Sequence, residues 1–279
     1  MARPSVADKR RTFRKLHESG CWMIPNPWDV GSARWLQGLG FKALATTSSG
    51  FAWSVGHADN AVPRDMMLEH IAGIVSVTDV PVNADFEGGY ADEPAGVAES
   101  VRLCCETGGA GLSIEDSTGN KDKPLYDIPF AVERMKAARA AIDKAGVDVM
   151  LTGRAEGFIS GVPDLGEMIA RLKAYSAAGA DVLYAPGIRT REQIEAVVQA
   201  VAPKPVNFLN GAAFGHSVAD LAAMGVRRIS VGGALARSAW GGFMRMAKDI
   251  AEHGTFTGFK DAASGAELNG FFAKDRPTR

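Results

Sequence analysis

Two carboxylates, Asp85 and Glu87, stand at the end of an apolar stretch carrying Val80, Val82 and Ala84, and Gly88-Gly89 follow them. Side chains alternate faces along a strand, so Asn83, Asp85 and Glu87 are expected to point the same way. Two acids gathered at the end of a buried strand repel each other and resist desolvation unless a cation lies between them. A hard divalent ion with oxygen ligands, Mg²⁺ or alternatively Mn²⁺, meets that need. A solvated strand end followed by a Gly-Gly turn is the structural alternative.

Other residues able to do chemistry recur at comparable places. They are Thr46-Thr47-Ser48-Ser49-Gly50, Glu115-Asp116-Ser117, Arg154 with Glu156, Tyr184, Asn207 with Asn210, and Gly232-Gly233. Each follows an apolar run of strand type, at 42–48, 80–86, 110–116, 147–154, 181–185, 205–209 and 227–232, with a short one at Cys21–Pro25 ahead of them. Helical patterns fall between, at about 29–38, 63–77, 94–107, 128–145, 164–178, 190–201 and 217–224, with another at 234–253. Pro63 and Pro94 mark first turns, Asp164 and Ser217 cap, and Gly108, Gly146, Gly179 and Gly225 stop helices. A basic amphipathic helix over 6–19 precedes the series. Eight alternations on this length predict a (β/α)₈ TIM-type barrel, residues 1–254 with the N-terminal helix, followed by a tail over 255–279. A doubly wound sheet is the alternative, but Asn26-Pro27-Trp28 is not a Gly-rich first turn. Phe256, Phe259, Phe271 and Phe272 predict that the tail docks on its own barrel or on a neighbouring subunit.

Catalytic groups of such barrels project from the C-terminal strand ends, where the carboxylates, arginine and hydroxyls are all expected to meet. Each has a plainer reading: Glu115 or Asp116 as a loop cap, Arg154 as an internal ion-pair partner, Ser48-Ser49-Gly50 as a turn, Tyr184 as packing. In a metal site, an arginine fork suits a substrate carboxylate, and turn amides suit an anion. Lys42 only opens its strand and no other lysine lies within one, which argues against Schiff-base chemistry, and no strand ends in a cysteine. His57, His70, His216 and His253 lack metal-ligand spacing.

The formal net charge of −1 offers no footprint for nucleic acid or an anionic membrane, and no apolar run approaches the roughly 20 residues of a bilayer span. The polar N-terminal stretch lacks a signal-peptide core, and three cysteines, two of them adjacent, make no disulfide framework. A reducing cytoplasm is the expectation.

The motifs Asp85-Phe86-Glu87-Gly88-Gly89-Tyr90, Ser113-Ile114-Glu115-Asp116 and Gly153-Arg154-Ala155-Glu156-Gly157-Phe158 occur in this order at strand ends. Gly56-His57-Ala58-Asp59-Asn60 and Ala178-Gly179-Ala180-Asp181 accompany them. Over roughly residues 20–250 the chain resembles the phosphoenolpyruvate mutase/isocitrate lyase superfamily. The resemblance implies Mg²⁺ bound directly by Asp85, with Asp59, Glu87 and Glu115 holding its waters. It further implies that Thr47, Ser48 and Ser49 bind a substrate carboxylate or phosphonate, with Asp59 and Asn207 in the same substrate-binding set, and that Arg154 contacts a 2-oxo acid. Members are often tetramers that exchange a C-terminal helix, for which 234–253 is the counterpart; a homo-oligomer, dimer or tetramer, is expected.

Isocitrate and methylisocitrate lyases carry a cysteine in the loop after strand four. Here that loop, Ser117 to Tyr126, has none, so chemistry needing that thiol is expected to be absent. Lys121 falls six residues after Glu115, where mutases and phosphonopyruvate hydrolases have a loop lysine, but the asparagine spacing beyond it is not reproduced. Tyr184 stands where mutases tend to have histidine. The expectation is therefore a Mg²⁺-dependent lyase or decarboxylase that cleaves a C–C bond in a small 2-oxo or 2-hydroxy dicarboxylate through a pyruvate-enolate-like intermediate. Glu115, Arg154, Tyr184 and a lid-borne Lys121 are its candidate catalytic groups. The alternatives are phosphonopyruvate or phosphoenolpyruvate P–C chemistry, a catalytically silent 2-oxo-acid-binding barrel, and a phosphate-binding isomerase barrel resting on Gly232-Gly233.

Overall fold

The apolar runs become eight short parallel strands: β1 (Trp22–Ile24), β2 (Leu44–Ala45), β3 (Val82–Asp85), β4 (Gly111–Glu115), β5 (Met150–Arg154), β6 (Val182–Tyr184), β7 (Val206–Leu209) and β8 (Arg228–Ser230). The computed structural model describes residues 3–275 of the chain. Each strand pairs with its sequence neighbour from β2 to β8, and β8 pairs in turn with β1. At the seam between β1 and β2 the Ala45 N–H donates to the Pro25 carbonyl at 3.1 Å, which makes the sheet a nearly closed TIM-type barrel.

The surrounding helices are α1 (Val6–Leu16), α2 (Val30–Gly38), α3 (Ser48–Ser54), α4 (Arg64–Val77), α5 (Pro94–Glu106), α6 (Ile128–Ala145), α7 (Leu165–Ala177), α8 (Arg191–Val201), α9 (Val218–Ala223), α10 (Ala234–His253) and α11 (Gly265–Lys274). Their ends follow from local chemistry. Asp164 and Ser217 accept helix N–H bonds as caps, Pro94 occupies a first-turn position, and Gly146 closes α6 in the left-handed conformation. Helix α3 is a departure from expectation. The hydroxyl-rich stretch after β2 turns at once into a helix, with Thr47 as its N-cap.

Helix α1 closes the N-terminal end of the barrel. Phe13 is fully buried with Ile24, Ala43, Met150 and Val182, and Arg10 donates to the carbonyls of Gly109 (3.0 Å) and Cys105 (2.7 Å). At the other end of the chain, α11 lies on α2. Phe271 meets Trp35 with ring centroids 4.6 Å apart, and Arg34 donates to Asp275 at 2.8 Å. The tail thus docks partly on its own barrel, while Phe256 and Phe259 stay exposed. Helix α10 buries only Ala236 and leaves Phe243 and Met244 exposed. Among the described residues no helix is long and apolar enough to cross a membrane.

Candidate active site

A cavity of about 170 Å³ opens at the C-terminal end of the barrel. At roughly 30 Å³ per water it holds only a few small groups, well below the volume of a drug-sized pocket. Its wall includes Asn26, Thr46, Thr47, Ser48, Ser49, Asp59, Asn83, Asp85, Arg154, Tyr184 and Asn207. Strand parity explains much of this set, because Asn83 and Asp85 on β3, and Asn207 and Leu209 on β7, are two residues apart and share the inward face.

Asp85 is the best-held acid. Its Oδ2 accepts from the Ser48 N–H (2.9 Å) and the Ser48 hydroxyl (3.0 Å), and its Oδ1 from Arg154 Nη1 (3.1 Å). The Ser48 N–H, expected at the sequence level to meet a substrate anion, is therefore taken up by Asp85. The same hydroxyl lies 3.5 Å from Asp59, and Thr46 Oγ1 accepts the Asp85 N–H at 2.9 Å. Thr47 and Ser49 hydroxyls are 3.2 Å apart on the cavity wall. Asn26 ties the rim together, donating to the Thr46 carbonyl and accepting from the N–H groups of Val231 and Gly232, each at 2.9 Å.

Arg154 is the centre of charge. Its guanidinium touches Asp85 at 3.1 Å, Glu115 at 3.2 Å and, more closely still, Glu156, and it lies 5.3 Å from the Tyr184 ring centroid. Burial works against its charge, but Glu115, Glu156 and Asp85 hold it firmly protonated. One guanidinium cannot balance five acids. Burial, then Asp85, pushes Asp59 up; the same two causes push Glu87 up to about 7. Burial raises Glu115 well above the carboxylate range despite Arg154, with Glu156, Asp85 and Glu87 adding to the rise. Burial also lifts Glu156, with Arg154 opposing. Such mutual elevation is what a gathered acid cluster shows without enough positive charge.

Glu87 departs from the sequence expectation. The strand ends at Asp85, and Glu87 takes a left-handed φ of 47°, so the alternation that placed it beside Asp85 does not extend to it and it is not part of the cavity wall. It remains close enough to Asp85 for that charge to raise it, and its Oε1 is buried without a hydrogen-bond partner, as is the nearby Tyr90 hydroxyl. The loop carrying Glu87 is pinned by the buried Arg134, which donates to the carbonyls of Gly88 (2.5 Å), Ala91 (2.6 Å) and Asp92. Asp116 has a structural place, accepting from the Glu156 N–H (2.8 Å), Arg171 (3.1 Å) and the Tyr175 hydroxyl. Lys121 stands exposed on the loop between Ser117 and Tyr126, outside the cavity wall. Glu115 is buried behind Arg154 rather than on the wall.

The donor set fits a divalent cation. Asp59, Asp85, Glu87, Glu115 and Glu156, with more negative charge than Arg154 balances, and an orphaned buried Glu87 oxygen are a hard-ion environment. Among the described residues no three His, Cys, Asp or Glu side chains converge closely enough to ligate one ion together, so few protein atoms would bind it directly and water would complete its shell.

A nearly closed barrel with several acids and Arg154 at its C-terminal mouth defines the class: a (β/α)₈ TIM-type barrel. The chain matches the phosphoenolpyruvate phosphomutase family over residues 13–251. It belongs to that family, within the phosphoenolpyruvate mutase/isocitrate lyase superfamily. An uncharacterized protein of Mycobacterium tuberculosis is 31% identical over 79% of this chain and 81% of its own. An oxaloacetate decarboxylase of Paraburkholderia xenovorans is 30% identical over 70% and 67% respectively. A Burkholderia cenocepacia structure, provisionally described as a lyase/mutase, is 48% identical with a TM-score of 0.93, covering 98% of this chain and 99% of that one. An oxaloacetate acetylhydrolase bound to oxalate (28%, TM-score 0.85, 98% and 96% coverage) and a 2,3-dimethylmalate lyase (28%, 0.84, 99% and 96%) share the fold.

Proposed function

We propose that the protein is a lyase or decarboxylase that breaks a C–C bond in a small 2-oxo or 2-hydroxy dicarboxylate. The observation that carries this reading is the Arg154 guanidinium held among Asp85, Glu115 and Glu156 at the mouth of a small polar cavity. Relatives named as oxaloacetate decarboxylase and 2,3-dimethylmalate lyase support the substrate class. Asp85 would hold Mg²⁺, or Mn²⁺, with Asp59, Glu87 and Glu115 hydrogen-bonding its waters. When bound, the ion supplies Lewis-acid stabilisation of negative charge developing on the 2-oxygen.

The chain's own groups do the rest. Arg154, whose Nε and Nη1 already meet Glu156, Asp85 and Glu115, offers Nη2 to the substrate carboxylate beside the 2-oxygen, fixing orientation and balancing charge. Thr47 and Ser49 hydroxyls and Asn207 line the remaining wall. In an oxaloacetate-type substrate the C3–C4 bond breaks, CO₂ leaves, and its electron pair enters the enolate. A proton delivered to C3 then completes pyruvate. Tyr184 is the donor candidate: burial pushes its hydroxyl up to about 12, so it keeps its proton at neutral pH. Lys121 would ride the loop over the cavity as substrate enters. P–C cleavage of phosphonopyruvate is the second reading, kept by the family match and tested by phosphate release. Asp85→Ala should abolish both turnover and Mn²⁺ binding measured by calorimetry. Full activity in that variant, with metal stripped, would sink the assignment.

A further inference from the structure

TIM-barrel interiors are filled chiefly by branched apolar side chains. Below the mouth of this barrel the layer is polar instead. Asn83, Ser113, Asn207, Arg228 and Ser230 line the lower cavity beside Ala45. Arg228 opens β8 and is only 3% exposed. Its Nε donates to Asn207 Oδ1 (2.8 Å), its Nη2 to Thr152 Oγ1 (3.1 Å), and its Nη1 lies 3.4 Å from His17 Nε2. Among the described residues no carboxylate pairs with it. These contacts use three of its five N–H donors, and the side chain forms part of the cavity wall. Asn83 Oδ1, in the same layer, is buried with no partner, so the layer is polar yet unsaturated.

His17 does not compensate the charge. Its Nδ1 meets the Phe13 carbonyl at 2.8 Å, which makes that nitrogen the donor and Nε2 a neutral acceptor facing Arg228. Burial lowers Arg228 only to about 10, so the guanidinium stays charged at neutral pH. An isolated buried cation is costly to desolvate unless an anion answers it. The cavity supplies the route for one. Arg228 bonds to Thr152, two residues before Arg154 on β5, and both arginine side chains line the same cavity. A small diacid brings two carboxylates into one such cavity.

We propose that Arg228 receives the remote carboxylate of a dicarboxylate substrate and sets the protein's preference for diacids. This deepens the functional reading above and rests on it. Arg154 then takes the carboxylate beside the 2-oxygen, and Arg228, supported by Asn207, takes the far one at the cavity floor, which remains a carboxylate when a 2-hydroxy diacid is cleaved between C2 and C3. The arrangement favours substrates with two charges and discriminates against the corresponding monoacids.

The test compares L-malate with L-lactate, which share a 2-hydroxy acid head and differ in the remote carboxylate, by calorimetric titration of the full chain with Mg²⁺ present. Wild type should bind malate on the order of 10- to 100-fold more tightly than lactate, as expected for a charge-assisted contact. Arg228→Gln should remove that preference while lactate affinity changes less than about threefold, and Arg228→Lys should restore part of it. Equal affinities in wild type, or an undiminished preference in a folded Arg228→Gln, overturn the proposal; if oxaloacetate is still turned over, the lyase reading survives alone. If Arg228→Gln does not fold, the wild-type comparison and Arg228→Lys decide. No binding of either acid to Mg²⁺-loaded wild type that also lacks turnover overturns both readings.

Discussion

Replacing Ser48 with alanine isolates one contact at the centre of the site. Asp85 Oδ2 accepts twice from Ser48, at 2.9 Å from the backbone and 3.0 Å from the hydroxyl, and the hydroxyl also stands 3.5 Å from Asp59. The substitution deletes the hydroxyl bond and keeps the backbone bond and the Arg154 contact at 3.1 Å. A neutral donor on an ionised acceptor is worth about 1.5–3 kcal/mol, and water from the cavity can partly replace it, so the lower end applies. About 1.5 kcal/mol is roughly tenfold in rate. We expect Ser48→Ala to lower kcat/KM on oxaloacetate about tenfold and to raise the Mg²⁺ concentration needed for half-activation. Its urea midpoint should stay near wild type, because the helix α3 cap is Thr47 and not Ser48. Ser48→Thr should recover most of the loss. Activity within twofold of wild type would refute the claim that this hydroxyl fixes Asp85, and a loss that tracks unfolding would refute the claim that the effect is local.

Arg154→Lys keeps the charge but cannot reach Asp85, Glu115 and Glu156 at once; kcat/KM should fall at least about 100-fold in a protein that remains folded, which steady-state assays and circular dichroism together would establish. Burial holds His17 down to about 3 and His70 to about 4, whereas both protonate near 6.5 when unfolded. Stability is therefore full above 6.5 and is lost as pH falls toward the folded values, by about 2 kcal/mol for each histidine at pH 5. The raised carboxylates of Glu87, Glu115, Glu156 and Asp59 gain stability over the same range, so the test is a difference: in urea unfolding at pH 7.5 and 5, His17→Gln should lose about 2 kcal/mol less between the two pH values than wild type does. Helix α10 leaves Phe243 62% and Met244 50% exposed, so we expect a dimer or tetramer by light scattering, dissociated by Phe243→Glu.

The barrel was legible because its signals are local and repeated. Apolar runs between Asp164, Ser217 and Gly146 punctuate the chain much as α7, α9 and α6 are punctuated in the fold. The acids and Arg154 were legible because strand ends meet at one mouth. Glu87 was misplaced because period-two alternation holds only while the backbone is extended, and its φ of 47° breaks it. Helix α3 was missed because seven residues containing three serines and a glycine carry no helical period. Arg228 escaped notice because an arginine near a strand start reads as an N-terminal-end residue. Only the register of β7 and β8, with Asn207 opposite Arg228, shows it facing the cavity. Its parity with Ser230, two residues on, was the available signal.

The central claim is metal-dependent C–C cleavage at the Asp85–Arg154 mouth. It is tested most directly by following pyruvate release from oxaloacetate, 2-methylmalate and methylisocitrate, with phosphate release from phosphonopyruvate in parallel, each with Mg²⁺ and with chelator. Mg²⁺-dependent pyruvate is expected from at least one of the carboxylate substrates, and none from any of them when Asp85 is alanine. Phosphate release from phosphonopyruvate alone, or pyruvate formation undiminished by chelator, would contradict it.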